Sequence, residues 1–316
     1  MKKILAVRND KLGDFILILP ALKMLKNSFP NIRVECLVNE SVADIAKISN
    51  YIDEIIIDND RVYHEIKKRE YDYSISFFST FRVGYMLSRC EIKKRYAPAT
   101  KLAQIFYNKK LKQNRSKSNK AEYDYNIDLV KFFLDDIGAA TSDVCGPYLT
   151  LPNEVNRIER ENKIIYLHPF TGGSSKTFSS DTVINLCREI QKYRTCNFIL
   201  HCDIKDYQKC LEIKNAAEME NLDVIKPSDN LLEMCSNINK CDIFIAGSTG
   251  PLHVAAALNK KTVGFYPSKV SSTSLRWKTI NDENKSISFD ETDGSSSFIE
   301  VDIKNVASVI YNKLIL

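Results

Sequence analysis

Short runs of apolar residues alternate along this chain with stretches in which apolar positions return every three or four residues. In the first half, runs at 4–8, 32–38, 54–57 and 73–78 predict strands. The periodic stretches 15–29, 42–49, 62–69 and 123–137 predict helices, the last closed by Gly138, a residue suited to a left-handed cap. Residues 147–162 lose the periodicity, carry Pro147 and Pro152, and read as an interdomain linker. The alternation then restarts. Strands are predicted at 164–167, 197–201, 223–225, 242–246 and 262–266, and helices at 181–193, 206–217, 230–239 and 251–258. A closing helix at 303–315 could pack on either half. Strands alternating with helices imply parallel sheets with right-handed crossovers. Two such series imply two doubly wound α/β domains, residues 1–150 and 151–316, with ligands at the carboxyl ends of the strands.

A length of 316 residues suits two domains, and 44% hydrophobic with 27% charged residues excludes a disordered, collagenous or repeat chain. Arg8, Asp10, Lys11 and Asp14 interrupt the apolar opening, so it holds no signal-peptide core. No window approaches the roughly 18 apolar residues of a membrane span. The nine cysteines are odd in number and scattered, with no CxxC or zinc spacing. Reduced thiols and a cytoplasmic location are therefore expected. The net charge of +5 is local: between Glu91 and Glu122 lie ten basic residues and no acidic one. Without those ten, the 45 basic residues fall to 35 against 40 acidic. An anionic surface or substrate is the partner this implies.

Three strand-to-helix loops carry candidate chemistry. In Leu12-Gly13-Asp14, Asp14 stands either as an N-cap or as a general base held at the loop mouth, with Asp10 a rival in the same loop. The loop from His168 to Lys176 offers Gly172 and Gly173 for close backbone approach and Lys176 as a point charge, without Walker A spacing. In Gly247-Ser248-Thr249-Gly250-Pro251-Leu252-His253, glycines allow a tight turn and Pro251 suits the first helical position. Ser248, Thr249 and the free N–H groups then form a diphosphate cradle at a positive helix end. His253, in the first turn, is either a site residue or a core histidine. The pattern is not GxGxxG and does not follow the first strand, which argues against a nicotinamide oxidoreductase. Asp58-Asn59-Asp60 has the form of a metal-binding DxD, although a solvated turn accounts for it as well. Tyr96, Phe106 and Tyr107 interleave the basic stretch, as in nucleic-acid binders, but an anionic lipid headgroup or membrane surface fits better beside a transferase.

At these residues the chain resembles glycosyltransferase family 9, the lipopolysaccharide heptosyltransferases, over nearly its whole length. The opening strand with RNDKLGD and FILILPALKMLK, the loop His168-Pro169 to Lys176, the run STGPLHVAAAL and the pair Arg276-Trp277 carry the resemblance. It implies a GT-B architecture, two Rossmann-like domains facing a central cleft, and metal-independent inverting transfer of heptose from an ADP-sugar, with no cofactor. It implies Asp14 as base and Lys176 on the donor phosphates, with Thr171, Thr249, Gly250 and His253 around the pyrophosphate beside Ser248. A nucleoside-contacting acid is implied after strand 197–201, with Asp206 and Asp203 as candidates. The first domain would bind the acceptor, an anionic lipopolysaccharide core at the inner membrane surface. Lys11, Lys93, Lys94 and Arg95 are the candidate anion contacts, and no nucleic acid is expected. The chain departs from the family's pattern in two places. Ser248 stands where the signature usually has Asp, and Lys176-Thr177-Phe178-Ser179 replaces Lys-Arg-Trp-Pro. The alternatives are another nucleotide sugar or surface glycan, or a non-catalytic nucleotide-sugar-binding scaffold.

Overall fold

A computed structural model describes residues 1–100, 102–152, 161–173, 176–291 and 298–316. Lys101, half of the predicted linker (153–160), and Ser174 and Ser175 of the loop from His168 to Lys176 lie outside the described residues. The chain forms two compact units, Met1–Thr150 and Leu151–Leu316.

The first unit is a parallel six-stranded sheet in the order β3-β2-β1-β4-β5-β6. Its strands are β1 (Lys2–Arg8), β2 (Ile32–Val38), β3 (Glu54–Ile57), β4 (Tyr73–Ser76), β5 (Lys94–Pro98) and β6 (Lys109–Leu111). Central β1 is buried from Ile4 through Arg8, which is why it reads as a continuous apolar run. Among the described residues, α1 (Leu12–Ile16), α2 (Leu19–Ser28), α3 (Ala43–Lys47), α4 (Val62–Arg69) and α5 (Phe81–Arg89) connect strands, and α6 (Glu122–Ile137) follows the last of them. Gly138 caps α6 at φ 72°.

Three expectations for this unit are corrected. The predicted helix 15–29 is two helices, because Pro20 has no N–H to continue the ladder and occupies the second position of α2. The Leu17 carbonyl at the break accepts from Nδ2 of buried Asn126 at 3.0 Å. The basic stretch, for which no strand is predicted, holds β5 and the edge strand β6. Lysine on an edge strand deters pairing with other chains, and it masked the strand signal in the sequence. Finally, 148–150 belong to this unit and not to a linker. Tyr148 is buried, its hydroxyl donates to the Val144 carbonyl at 2.9 Å, and Thr150 N donates to the Ile48 carbonyl.

The second unit repeats the plan in the order β12-β11-β10-β7-β8-β9, again parallel. Its strands are β7 (Lys163–His168), β8 (Cys196–Leu200), β9 (Leu222–Val224), β10 (Ile243–Gly247), β11 (Lys261–Tyr266) and β12 (Ser286–Asp290). Its helices are α7 (Ser180–Gln191), α8 (Tyr207–Ala217), α9 (Leu231–Asn239), α10 (Gly250–Ala257), α11 (Ser274–Trp277) and α12 (Ile303–Ile310). Ser179 caps α7 by accepting from Thr182 N, and Asn230 caps α9 by accepting from Leu232 N and Glu233 N. The closing helix joins this unit: Val306, Ala307 and Ile310 enter the same core as Val183 and Ile190 of α7.

Candidate active site

In a doubly wound sheet the ligand crevice opens where neighbouring strands send their chains in opposite directions. In the first unit that point lies between β1 and β4, and in the second between β7 and β10. The loops singled out from the sequence are those that leave these strands.

The loop after β1 is organised by Arg8, which is 3% exposed. Its Nε donates to Asp10 Oδ1 at 2.8 Å, its Nη2 to Asp14 Oδ1 at 2.5 Å, and its Nη1 to the Phe77 carbonyl after β4 at 3.3 Å. One guanidinium therefore spans the switch point and fixes two carboxylates. Asp14 is not an N-cap. The cap position is Lys11, and Asp14 lies in the first turn of α1, where its charge complements the helix dipole. Asp10 is pushed up to about 6, first by burial, against the pull of Arg8 and with help from neighbouring Asp14. Sequence reading missed Arg8 as the organiser, because an arginine closing a strand has no signature spacing. Asp58 Oδ2 accepts from Asn9 Nδ2 at 2.6 Å and pairs with Arg82, so this carboxylate of the DxD-like triplet is already engaged.

The anion contacts expected for the acceptor separate. Lys11 and Lys93 are exposed. Lys94, by contrast, pairs with Asp136 at 2.9 Å, and Lys109 and the Tyr96 hydroxyl reach the same carboxylate, which these partners hold well below the usual carboxylate range. Arg95 donates to the carbonyls of Ile92 and Phe106 at 2.5 and 2.8 Å. Both residues brace the sheet near its edge through these bonds, a structural role that the sequence reading did not include.

In the second unit β10 runs beside β7, with Ala246 in register with His168, so their two loops emerge side by side. After β7, Gly173 adopts φ 91°, a left-handed conformation natural to glycine, and its N–H donates to the Thr171 hydroxyl at 3.3 Å. Lys176 ion-pairs with Glu291 at 3.0 Å, and the Glu291 side chain is 1% exposed. Glu291 follows β12, across the sheet, and nothing in its sequence surroundings marks it. After β10, Thr249 is the N-cap of α10, Gly250 its first residue and Pro251 its second, one place later than expected. The Thr249 hydroxyl oxygen is buried and has no hydrogen-bond partner among the described residues. Ser248 N donates to the Phe265 carbonyl at 3.0 Å, and His253 is buried against the unit as a core histidine would be.

Asp206 is buried, and Lys209 reaches it at 3.0 Å; Asp203 is the exposed acid of that loop. Beside it the structure brings together two histidines that sequence reading did not connect. The Nδ1 atoms of His168 and His201 lie 3.0 Å apart, and His168 Nδ1 is also 3.0 Å from the His201 carbonyl. Burial lowers both, His201 to about 3, so the pair stays neutral. Arg276 lies over the Trp277 ring at 5.6 Å, and Trp277 Nε1 donates to the Ser271 carbonyl at 2.9 Å.

Comparison with known proteins identifies the family and the fold. The sequence pattern of glycosyltransferase family 9 (heptosyltransferase) matches residues 60–304. A Haemophilus influenzae protein named "Putative glycosyltransferase" is 36% identical, covering 98% of this chain and 95% of its own length. Lipooligosaccharide heptosyltransferase 2 of Campylobacter jejuni is 23% identical, over 85% of this chain and 83% of its own. Among solved structures, the Escherichia coli heptosyltransferase WaaC with ADP has the same fold, with a TM-score of 0.77 at 15% identity, covering 98% of this chain and 99% of that one.

Proposed function

The chain belongs to glycosyltransferase family 9, the heptosyltransferases, and on that premise we propose that it is an inverting, metal-independent transferase moving heptose from ADP-heptose to the inner core of a nascent lipopolysaccharide. The observation that carries this reading is the chemistry of the two switch points: a guanidinium-held carboxylate in one unit, and in the other an unsatisfied hydroxyl at a helix mouth beside a lysine loop. A buried hydroxyl without a partner costs about 1–3 kcal/mol, and an oxygen of a bound diphosphate would satisfy it. The ADP in the WaaC structure and the heptosyltransferase name of the Campylobacter relative support the choice of donor.

In this reading Asp14 takes the proton from the acceptor hydroxyl as that oxygen bonds to the anomeric carbon. The bond from that carbon to the diphosphate breaks on the opposite face, and its electron pair leaves with ADP. Arg8 holds the Asp14 carboxylate in place through its Nη2. Lys176, the N–H groups at the start of α10 and the Thr249 hydroxyl receive the departing charge, the part a divalent cation plays in other transferases. The first unit binds the acceptor, with Lys11 and Lys93 meeting its anionic groups at the inner face of the membrane, and the second binds the donor. A second reading keeps this chemistry and changes the sugar or the glycan. It is favoured by Ser248, which stands where the family's signature usually places a carboxylate.

A thermal-shift panel of ADP, UDP, GDP and CMP with EDTA present throughout tests the proposal. Stabilisation by ADP alone is expected, followed by heptose transfer without added metal. Stabilisation by UDP or GDP instead would remove heptose and leave the second reading. No response to any nucleotide would overturn the donor site.

A further inference from the structure

Helix α5 and the 3-10 turn Leu102–Phe106 pack closely because Gly84 has no side chain: a Cβ there would lie 3.1 Å from both Phe106 Cβ and Tyr107 Cε2. That contact occupies one side of each element, and large apolar side chains project from the other. Phe81 is 59% exposed, Tyr85 53%, Leu102 82% and Ile105 67%. Phe81 and Tyr85 share one face of α5 at a spacing of four, and Leu102 and Ile105 share one face of the turn at a spacing of three. The Phe106 ring joins the two elements by edge contacts at 4.8 Å to Phe81 and 5.8 Å to Tyr85. The result is one exposed apolar patch on the first unit.

The charge around it has one sign. From Arg82 to Lys120 the sequence holds twelve lysines and arginines and a single acid, Glu91. Several are consumed internally, as Lys94 and Lys109 are by Asp136. Arg89, one turn beyond Tyr85 on the same helix face, and Lys93, just past the helix, are exposed. Exposed contiguous apolar surface marks an interaction site. A rigid protein partner requires pockets shaped to each projecting side chain. A fluid headgroup layer accommodates separate projections, favours aromatic and aliphatic groups at its boundary, and attracts basic residues when it is anionic.

We propose that this face docks the chain on an anionic phospholipid bilayer, with Phe81, Tyr85, Leu102 and Ile105 entering the headgroup region and Arg89 and Lys93 facing lipid phosphates. The proposal deepens the membrane-bound acceptor of the preceding section and rests on it for its purpose; the lipid contact itself involves no donor residue.

The test is flotation of the full chain with vesicles of phosphatidylcholine alone and of phosphatidylcholine mixed with phosphatidylglycerol, without nucleotide or acceptor. The chain is expected to float with the mixed vesicles. Leu102→Ser with Ile105→Ser should lower the partition coefficient about tenfold or more, with an unchanged Tm, since both side chains are already exposed. Arg89→Gln with Lys93→Gln should remove the preference for anionic vesicles. Absence of binding to the mixed vesicles would overturn the proposal, as would equal binding by the Leu102/Ile105 variant. A dimer in sedimentation velocity that this variant abolishes would overturn it too, assigning the face to a second copy. An ADP thermal shift is independent of every arm, so failure of the donor reading and failure of this one are told apart.

Discussion

Replacing Asp10 with asparagine should stabilise the protein, and only at neutral and alkaline pH. Asp10 is largely withdrawn from solvent beside Arg8 and near a second carboxylate, and its carboxyl is pushed from its ordinary 3.8 up to about 6. Burial is the largest cause, and the attraction of Arg8 only partly offsets it. Between those two pH values the native state holds a proton that the unfolded chain has released, so stability falls as pH rises and the full deficit persists above pH 6. A difference of roughly two pH units at about 1.4 kcal/mol each makes that deficit on the order of 3 kcal/mol. Asparagine mimics the protonated carboxyl in shape and can still accept from Arg8 Nε, so it removes the deficit without opening a cavity.

The assay is urea unfolding of wild type and Asp10→Asn from pH 4 to pH 8. The difference between them should be near zero at pH 4 and grow to about 2–3 kcal/mol by pH 8. Only the difference is informative. His201, lowered to about 3 by burial and by its His168 neighbour, contributes with the opposite sign: its unfolded form gains a proton below about 6.5 that the native form refuses, so acid destabilises both proteins alike. A difference independent of pH, or a variant less stable at pH 8, would refute the claim that burial dominates at Asp10. A charge kept at such a cost beside the proposed base is what a catalytic loop retains and a purely structural loop does not.

Asp14→Asn should keep ADP binding and lower turnover by about 10²–10⁴, as loss of a positioned base does; full turnover in a transfer assay would dismiss Asp14 as base. Lys176→Met leaves Glu291 buried without its cation and should cost about 3–5 kcal/mol in urea unfolding. Adding Glu291→Gln should restore most of that stability but not the affinity for ADP by calorimetry, and recovered affinity would make Lys176 purely structural. Arg95→Met should cost about 1–3 kcal/mol, because the Ile92 and Phe106 carbonyls lose their donor. Lys93→Gln should leave stability within about 0.5 kcal/mol, as at other exposed positions, and equal losses at the two would show that Arg95 does not brace the fold.

What the sequence made legible follows from how each signal arises. Runs rich in β-branched and other apolar residues mark strands, so β2 and β3 could be placed to the residue. Alternation of strand and helix gave both sheets, and the polar loops stood out against it. β5 and the edge strand β6 escaped, because the lysines that deter pairing at a sheet edge also make a strand look like loop. The break before α2 was legible in Pro20 but its consequence was not, since the freed Leu17 carbonyl is answered by Asn126, 109 residues away. The same distinction separates the site residues. Asp14, Lys176 and Thr249 sit in or just beyond strand-to-helix loops whose composition declares them. Arg8 and Glu291 end or follow strands, and their importance lies wholly in what the fold brings to them. Each holds a candidate site residue by a charge it shares: Arg8 fixes Asp14 while also binding Asp10, and Glu291 holds Lys176 from the far side of its sheet. A loop motif thus names the group proposed to meet the substrate, while the group that holds it in place comes from elsewhere in the sheet. For the proposed chemistry, then, the reach of the base should respond to Arg8 and that of the lysine to Glu291, at positions no loop motif contains.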